Sequence, residues 1–142
     1  MALAMDAAAL MRFLAAEFPQ VAQDFAIDTL TETALVVRLK VTDKHLRPGG
    51  TVSGPSMFAL ADVAVYMAVL ARIGPRALAV TTNCSIDFMR KPAAGADVIA
   101  HAKVLKLGRS LSVIDVLLYS EGQPDPVARA TLTYSLPPKR PG

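Results

Sequence analysis

The feature that most constrains this fold is a long apolar run over residues 53–71, interrupted by one charged side chain, Asp62. A helix over roughly 56–72 would be apolar on every side, so it must be enclosed by protein rather than lie on a surface. A membrane span is not favoured, because the run has about fifteen residues where about 20 are needed, and it contains a carboxylate. Gly74 and Pro75 would end the helix. The run therefore predicts a central helix with the rest of the chain wrapped around it.

Strand-like patterns lie on both sides of this helix. Residues 34–41 alternate apolar and polar side chains before it, and four segments rich in Val, Ile and Leu or strictly alternating follow it, at 79–89, 96–107, 111–119 and 127–136. The turns at Lys91-Pro92, Gly108 and 121–124 suit antiparallel connections. A short amphipathic helix over 6–16, stopped by Phe18-Pro19, precedes the first strand. The order predicts an α+β domain in which a curved antiparallel sheet of five to six strands wraps the long helix.

The composition excludes several classes of function. The chain has 142 residues, 53% hydrophobic and 19% charged, with a formal net charge of +3. It has no Trp and no run of Lys and Arg, so nucleic acid is not an expected partner. A single cysteine, Cys84, excludes an intramolecular disulfide and favours a reducing compartment, for which we expect the cytoplasm. With only His45 and His101 besides it, no zinc-like ligand set can be drawn, and we expect no metal.

Four segments together resemble the hotdog superfamily, in particular the thioesterases of the phenylacetate-degradation type. They are residues 45–55 (His-Leu-Arg-Pro-Gly-Gly-Thr-Val-Ser-Gly-Pro), 60–64, 87–93 and 107–110, and the likeness extends over about 35–136. The family usually reads His-Gly-Gly where this chain has Ser53-Gly54-Pro55, with an acidic residue eight positions after the first Gly, where Asp62 stands. The resemblance implies a hotdog domain over 26–137, after an N-terminal helical segment at 1–25 and before a tail at 138–142.

The resemblance also implies an acyl-CoA thioesterase. Asp62 would be the general base or nucleophile, the Gly54 backbone amide would stabilise the oxyanion, and Thr81 would help orient water. The alternative is that Asp62 is a structural carboxylate with no part in the reaction. These residue types suit the reaction, since thioester hydrolysis needs an activated water and a donor for the developing negative charge. The expected substrate contacts, with coenzyme A as part of the substrate and no separate cofactor, are Arg47, Ser53, Asn83, Arg90, Lys91, Gly108, Arg109 and Ser110.

Two subunits of this family pair their sheets edge to edge, with the site between them. The resemblance therefore implies that Gly54 of one subunit works with Asp62 of its neighbour, in a homodimer that associates further into a tetramer. On the strand at 79–89, simple alternation predicts that Thr81 and Asn83 share one face and that Cys84 lies on the opposite, apolar face.

The chain departs from the family pattern at three positions around the start of the helix. Ser53 replaces the usual His, Pro55 has no N–H to donate, and Arg47 stands where relatives often carry Asn or Gln. Arg47 has two interpretations, an ion pair with Asp62 or a contact with phosphate. These departures leave a non-hydrolytic acyl-CoA-binding protein as an alternative. A hotdog dehydratase is disfavoured, because such enzymes use a His at the position that Ser53 occupies.

Overall fold

A computed structural model of the protein describes residues 2–138, so residues 139–142 of the predicted tail lie outside the described part. The helices are α1 (Ala7–Glu17), α2 (Pro19–Ala22) and α3 (Gly54–Ile73), with a short 3-10 turn at Asp43–His45. The strands are β1 (Phe25–Leu30), β2 (Ala34–Leu39), β3 (Val80–Phe88), β4 (Val98–Leu107), β5 (Leu111–Ser120) and β6 (Ala128–Ser135).

The six strands form one antiparallel sheet that wraps α3. Their order is β1-β2-β4-β5-β6-β3, which leaves β1 at one edge and β3 at the other. Helix α3 contacts five of the six strands, and side chains along it such as Leu60, Val65 and Met67 are completely buried. The predicted α+β hotdog fold with an enclosed central helix is confirmed. By length and composition alone α3 could cross a membrane, but most of it is buried inside this domain, as expected of a core helix.

The central helix is longer than predicted at both ends. It begins at Gly54 because Ser53 is its N-cap, with Oγ accepting a hydrogen bond from the Ser56 amide at 3.2 Å. Pro55 fits the first turn, where its missing N–H would have had no helical partner. The helix ends at Ile73, and Gly74 follows with φ 91°, a conformation that favours glycine.

The N-terminal helix α1 packs against β1 and α3. Asp6 caps α1 by accepting from the Ala9 amide at 2.8 Å, and Leu10 and Leu14 are buried. The predicted stop at Phe18 is confirmed, and Pro19 begins the short α2. Strand β1 was not singled out in the sequence, because its side chains show no clear alternation and only Phe25 is fully buried.

A β-bulge in β3 overturns two predictions. Thr81 pairs with Tyr134 and Asn83 pairs with Thr133, so the strand carries one extra residue between these two pairs. After the bulge, Cys84 pairs with the buried Leu132 and faces the core, whereas Asn83 is exposed on the outer face. The predicted shared face of Thr81 and Asn83 is therefore wrong. Cys84 lies on the apolar face as predicted, although it shares that face with Thr81 instead of lying opposite to it.

The enclosure of α3 gives a direct test by substitution. Leu60→Ala removes a side chain with no exposed surface, so we expect the free energy of unfolding to fall by about 2–5 kcal/mol. Urea denaturation measures this. The matched control is Leu105→Ala, where 53% of the side chain is exposed and the expected change is within about 1 kcal/mol. Equal losses in both variants would contradict the observed packing.

Candidate active site

The carboxylate of Asp62 is held by two hydroxyl groups from two different strands. The Thr81 hydroxyl of β3 donates to Asp62 Oδ1, and the Tyr134 hydroxyl of β6 lies 2.9 Å from the same oxygen. Tyr134 Oη also lies 3.2 Å from the backbone carbonyl oxygen of Asp62. Both strands thereby bind the one charged group inside the apolar stretch of α3, and they fix the direction of its side chain.

The Tyr134 hydroxyl is a permanent donor in this arrangement. Its side chain is buried, with 2% of the residue exposed. Burial raises the pKa of Tyr134 far above its ordinary value, and the negative charge of Asp62 raises it further. The phenol therefore stays protonated and neutral wherever the carboxylate is ionised.

A groove of about 460 Å³ opens beside Asp62. Tyr66 lies one turn along the helix from Asp62, and its hydroxyl donates to the Ala77 carbonyl at 3.0 Å. Burial, together with the charge of Glu17, raises the pKa of Tyr66. The other walls come from the end of α1, from α2 and from the segment leading into β3, and include Phe18, Gln20, Leu78 and Val80.

A second groove, of about 510 Å³, lies at the N-terminus of α3. Within residues 2–138 the Gly54 amide makes no hydrogen bond, whereas the Ser56 and Met57 amides bind the Ser53 side chain and carbonyl. Pro55 has no N–H, so Gly54 supplies the unused donor at the positive end of the helix dipole. The Phe88 ring covers Gly54 so closely that a Cβ there would lie 3.4 Å from the ring.

The loop before α3 is held by His45. Its Nδ1 accepts from the Thr42 amide at 2.9 Å, its Nε2 lies 3.5 Å from Asp24 Oδ2, and its carbonyl accepts from the Ser53 amide at 2.8 Å. His45 is buried. It therefore fixes the backbone that leads into Gly54.

The predicted phosphate contacts divide into two groups. Arg47, Arg90 and Lys91 line the Gly54 groove. Gly108, Arg109 and Ser110 lie instead in a groove beside Ile73 and Arg76, at the other end of α3. One chain does not bring the two groups together.

The structure also places Arg47, Ser53 and Asn83 relative to Asp62. Arg47 lines the Gly54 groove, and the partners of Asp62 are Thr81 and Tyr134, so the suggested ion pair between Arg47 and Asp62 does not form within the described chain. Ser53 caps α3 and lines the same groove, whereas Asn83 projects away from Asp62.

Tyr134 is the site residue that the sequence analysis missed. Its alternation with Ala128, Ala130 and Leu132 placed it on the inward face of β6. A buried tyrosine hydroxyl needs a hydrogen-bonding partner, and Asp62 is the charged group within the apolar stretch of the central helix. An inward-facing tyrosine and a carboxylate in the enclosed helix were therefore the sequence features that could have predicted this contact.

Comparison with known proteins gives one consistent family. A family model of the thioesterase superfamily matches residues 49–127. A candidate esterase of Pseudomonas aeruginosa is 33% identical over 104 residues, which cover 72% of this chain and 75% of the relative.

Solved structures give the same answer. The crystal structure of a candidate thioesterase from a Silicibacter species is 57% identical, with a TM-score of 0.91 over 97% of this chain and 96% of that one. The phenylacetic acid degradation protein PaaI of Thermus thermophilus, solved as a mutant, is 33% identical with a TM-score of 0.70, covering 82% of this chain and 97% of its own. A hypothetical thioesterase of Streptococcus pneumoniae, solved with coenzyme A, is 21% identical, with a TM-score of 0.78 over 92% of this chain and 99% of its own, and shares the fold.

The single cysteine offers a chemical probe of the Asp62 environment. Burial raises the pKa of Cys84, and the charge of Asp62 raises it further. In Asp62→Asn that charge is gone and the thiolate forms more readily, so the midpoint of alkylation should fall to a lower pH than in the wild type. Iodoacetamide kinetics across pH measure this, and the exposed Asp87→Asn on the same strand is the control. A midpoint that is the same in Asp62→Asn as in wild type would contradict the placement of Cys84.

Proposed function

This chain belongs to the thioesterase superfamily and is a thioester hydrolase, and we propose that it hydrolyses acyl-CoA thioesters with water activated by Asp62. The observation that carries the proposal is the fixed carboxylate of Asp62 beside an open groove. Within residues 2–138, the two side-chain hydrogen bonds to the Asp62 carboxylate are both made to Oδ1. Oδ2 is therefore left to take a proton from the attacking water. The proposed reaction yields the free acid and coenzyme A and uses no separate cofactor.

The Gly54 amide is the proposed donor to the oxyanion. Its N–H is unused within the described chain and belongs to the first turn of α3. One donor of this kind stabilises the transition state by about 3–4 kcal/mol in other acyl-transfer enzymes. Gly54 and Asp62 are eight residues apart, however, which is about 12 Å along a helix axis. One chain therefore cannot direct both groups at the same thioester.

Pairing of the β3 edges of two subunits would bring Gly54 of one subunit close to Asp62 of the other. Strand β3 begins beside the Asp62 groove, where Thr81 lies, and ends at Phe88, which covers Gly54. If two copies of β3 pair antiparallel about a two-fold axis, the beginning of one strand lies beside the end of the other. Asp62 of one subunit then shares a site with Gly54 of its neighbour, and the exposed Val80 and Phe88 become covered. We propose this homodimer as the minimal active unit.

The same pairing would unite the two groups of cations. The loop at 108–110 lies beside the beginning of β3, since the Leu136 amide donates to the Ser110 carbonyl and Ser135 pairs with Val80. The end of β3 leads to Arg90 and Lys91. Basic side chains from both subunits would then surround one site, which suits the phosphates of coenzyme A. Coenzyme A in the streptococcal relative supports this substrate class. The tetramer and the cytoplasmic location stay predictions.

The role of Asp62 is tested by its isosteric amide. Asp62→Asn keeps the shape but cannot accept a proton, so we expect near-complete loss of hydrolysis, on the order of a hundredfold or more. Free thiol release from a panel of acyl-CoA substrates measures it. The matched control is Asp115→Asn, an exposed carboxylate that also accepts a threonine hydroxyl, from Thr131 at 2.8 Å, and it should keep full activity.

Two results would contradict this proposal. An unchanged rate in Asp62→Asn would exclude Asp62 as the base. Tight binding of acyl-CoA by the wild type with no thiol release, measured by calorimetry beside the thiol assay, would favour the non-hydrolytic alternative.

Mixed dimers test whether the site is shared between subunits. Gly54→Pro removes the N–H at the first helical position, where proline is common, and the extended Ser53 (ψ 155°) is compatible with a following proline. Because the new proline would itself precede Pro55, the far-UV circular dichroism and dimer content of the variant must match those of the wild type before mixing. Each of Asp62→Asn and Gly54→Pro should be inactive alone. In a shared site, a mixed dimer has one site with both changes and one intact site, so a statistical mixture should regain about a quarter of wild-type activity.

The same mixture gives the opposite answer for a site within one chain. Every site would then carry one substitution, and activity would stay at the level of the single variants. The mixture is prepared by co-refolding, and its composition is confirmed by native mass spectrometry before thiol release is measured.

A further inference from the structure

We propose that Tyr134 is a positioning residue for hydrolysis, whose hydroxyl holds the Asp62 carboxylate by Oδ1 so that Oδ2 can accept the proton of the attacking water. This inference rests on the proposed function of Asp62. Thr81 holds the carboxylate from β3. Tyr134 holds the same carboxylate from a second strand, β6.

Within residues 2–138, the Tyr134 hydroxyl makes its hydrogen bonds to Asp62. The oxygen lies 2.9 Å from Asp62 Oδ1 and 3.2 Å from the carbonyl oxygen of the same residue. The inward neighbours of Tyr134 on β6 are Ala128, Ala130 and Leu132, which are apolar and buried. A phenylalanine would fill the same volume, so the hydroxyl is needed for Asp62 and not for packing.

Two donors on one oxygen stabilise the ionised carboxylate more than the carboxylic acid. The Tyr134 hydroxyl is always available for this, because burial and the charge of Asp62 keep it protonated. The other titratable groups at this carboxylate are Tyr66 on α3, Cys84 on β3 and Glu17 at the end of α1.

The test is Tyr134→Phe, which removes only the hydroxyl oxygen. We expect kcat to fall by about ten- to a hundredfold with little change in KM, the loss expected for one hydrogen bond to a charged group. A tyrosine that served only to pack the core would not lower kcat while leaving KM unchanged.

The control is Tyr119→Phe, which removes the same atom from a tyrosine on the outer face of the sheet, stacked edge-on against His101. It should keep the wild-type kcat and KM. Thr81→Ser and Thr81→Val test the other donor to the same oxygen. Serine keeps the hydroxyl and should keep the wild-type kcat, whereas valine should lower kcat with little change in KM.

The outcomes separate this inference from the function on which it rests. If Asp62→Asn abolishes hydrolysis but folded Tyr134→Phe keeps the wild-type kcat, the positioning role is overturned and the function stands. A Tyr134→Phe protein that does not fold overturns the role equally, because the hydroxyl would then be required by the core. An unchanged rate in Asp62→Asn overturns the function itself. Loss of kcat with little change in KM in folded Tyr134→Phe, together with inactive Asp62→Asn, supports both.

Discussion

Enclosure of an almost wholly apolar helix is the constraint on which the rest of the structure depends. Helix α3 offers no broad polar face to water, so the sheet must curve around it and supply apolar side chains on its concave side. Complete burial of one large aliphatic side chain contributes about 1.5–3 kcal/mol, and α3 has several. The sheet order, the short loops and the packing of α1 all serve this enclosure.

The single carboxylate in that helix links the fold to the chemistry. A charged group in an apolar environment is costly unless it is hydrogen-bonded, so the strands around α3 have to supply donors at Asp62. They do so with Thr81 and Tyr134, and the groove beside them keeps the carboxylate only half-buried. In the proposed mechanism, the contacts that make Asp62 tolerable in the core are also the contacts that orient it toward the substrate. Stability and the proposed function would then depend on the same two hydroxyl groups.

Strand β3 serves both the site and the proposed assembly. It contributes Thr81 to one groove and Phe88 to the other, and it lies at an edge of the sheet where its outer backbone groups are available for pairing. The bulge near its start turns Thr81 toward Asp62 while the following residues keep their own alternation. An edge strand that touches both grooves gives a physical reason for a site shared by two subunits.

The sequence by itself determined the class of fold, because an apolar run with strand patterns around it has few ways to bury its surface. It also determined the spacing of Gly54 and Asp62, which is a property of the chain. Local patterns could not reveal the bulge, since an extra residue in a ladder is defined by the partner strand, and the predicted shared face of Thr81 and Asn83 was wrong for that reason. Strand β1 was missed because its residues are only partly buried.

Only the tertiary structure decided which side chains meet Asp62. Tyr134 is 72 residues away along the chain, and its local sequence pattern does not predict which group its hydroxyl contacts. The separation of Arg47 from Asp62, and of the 108–110 loop from Arg90, is likewise a matter of which ends of α3 the loops reach. Periodicity determines what a residue faces within its own element, and the packing of elements determines what lies across from it.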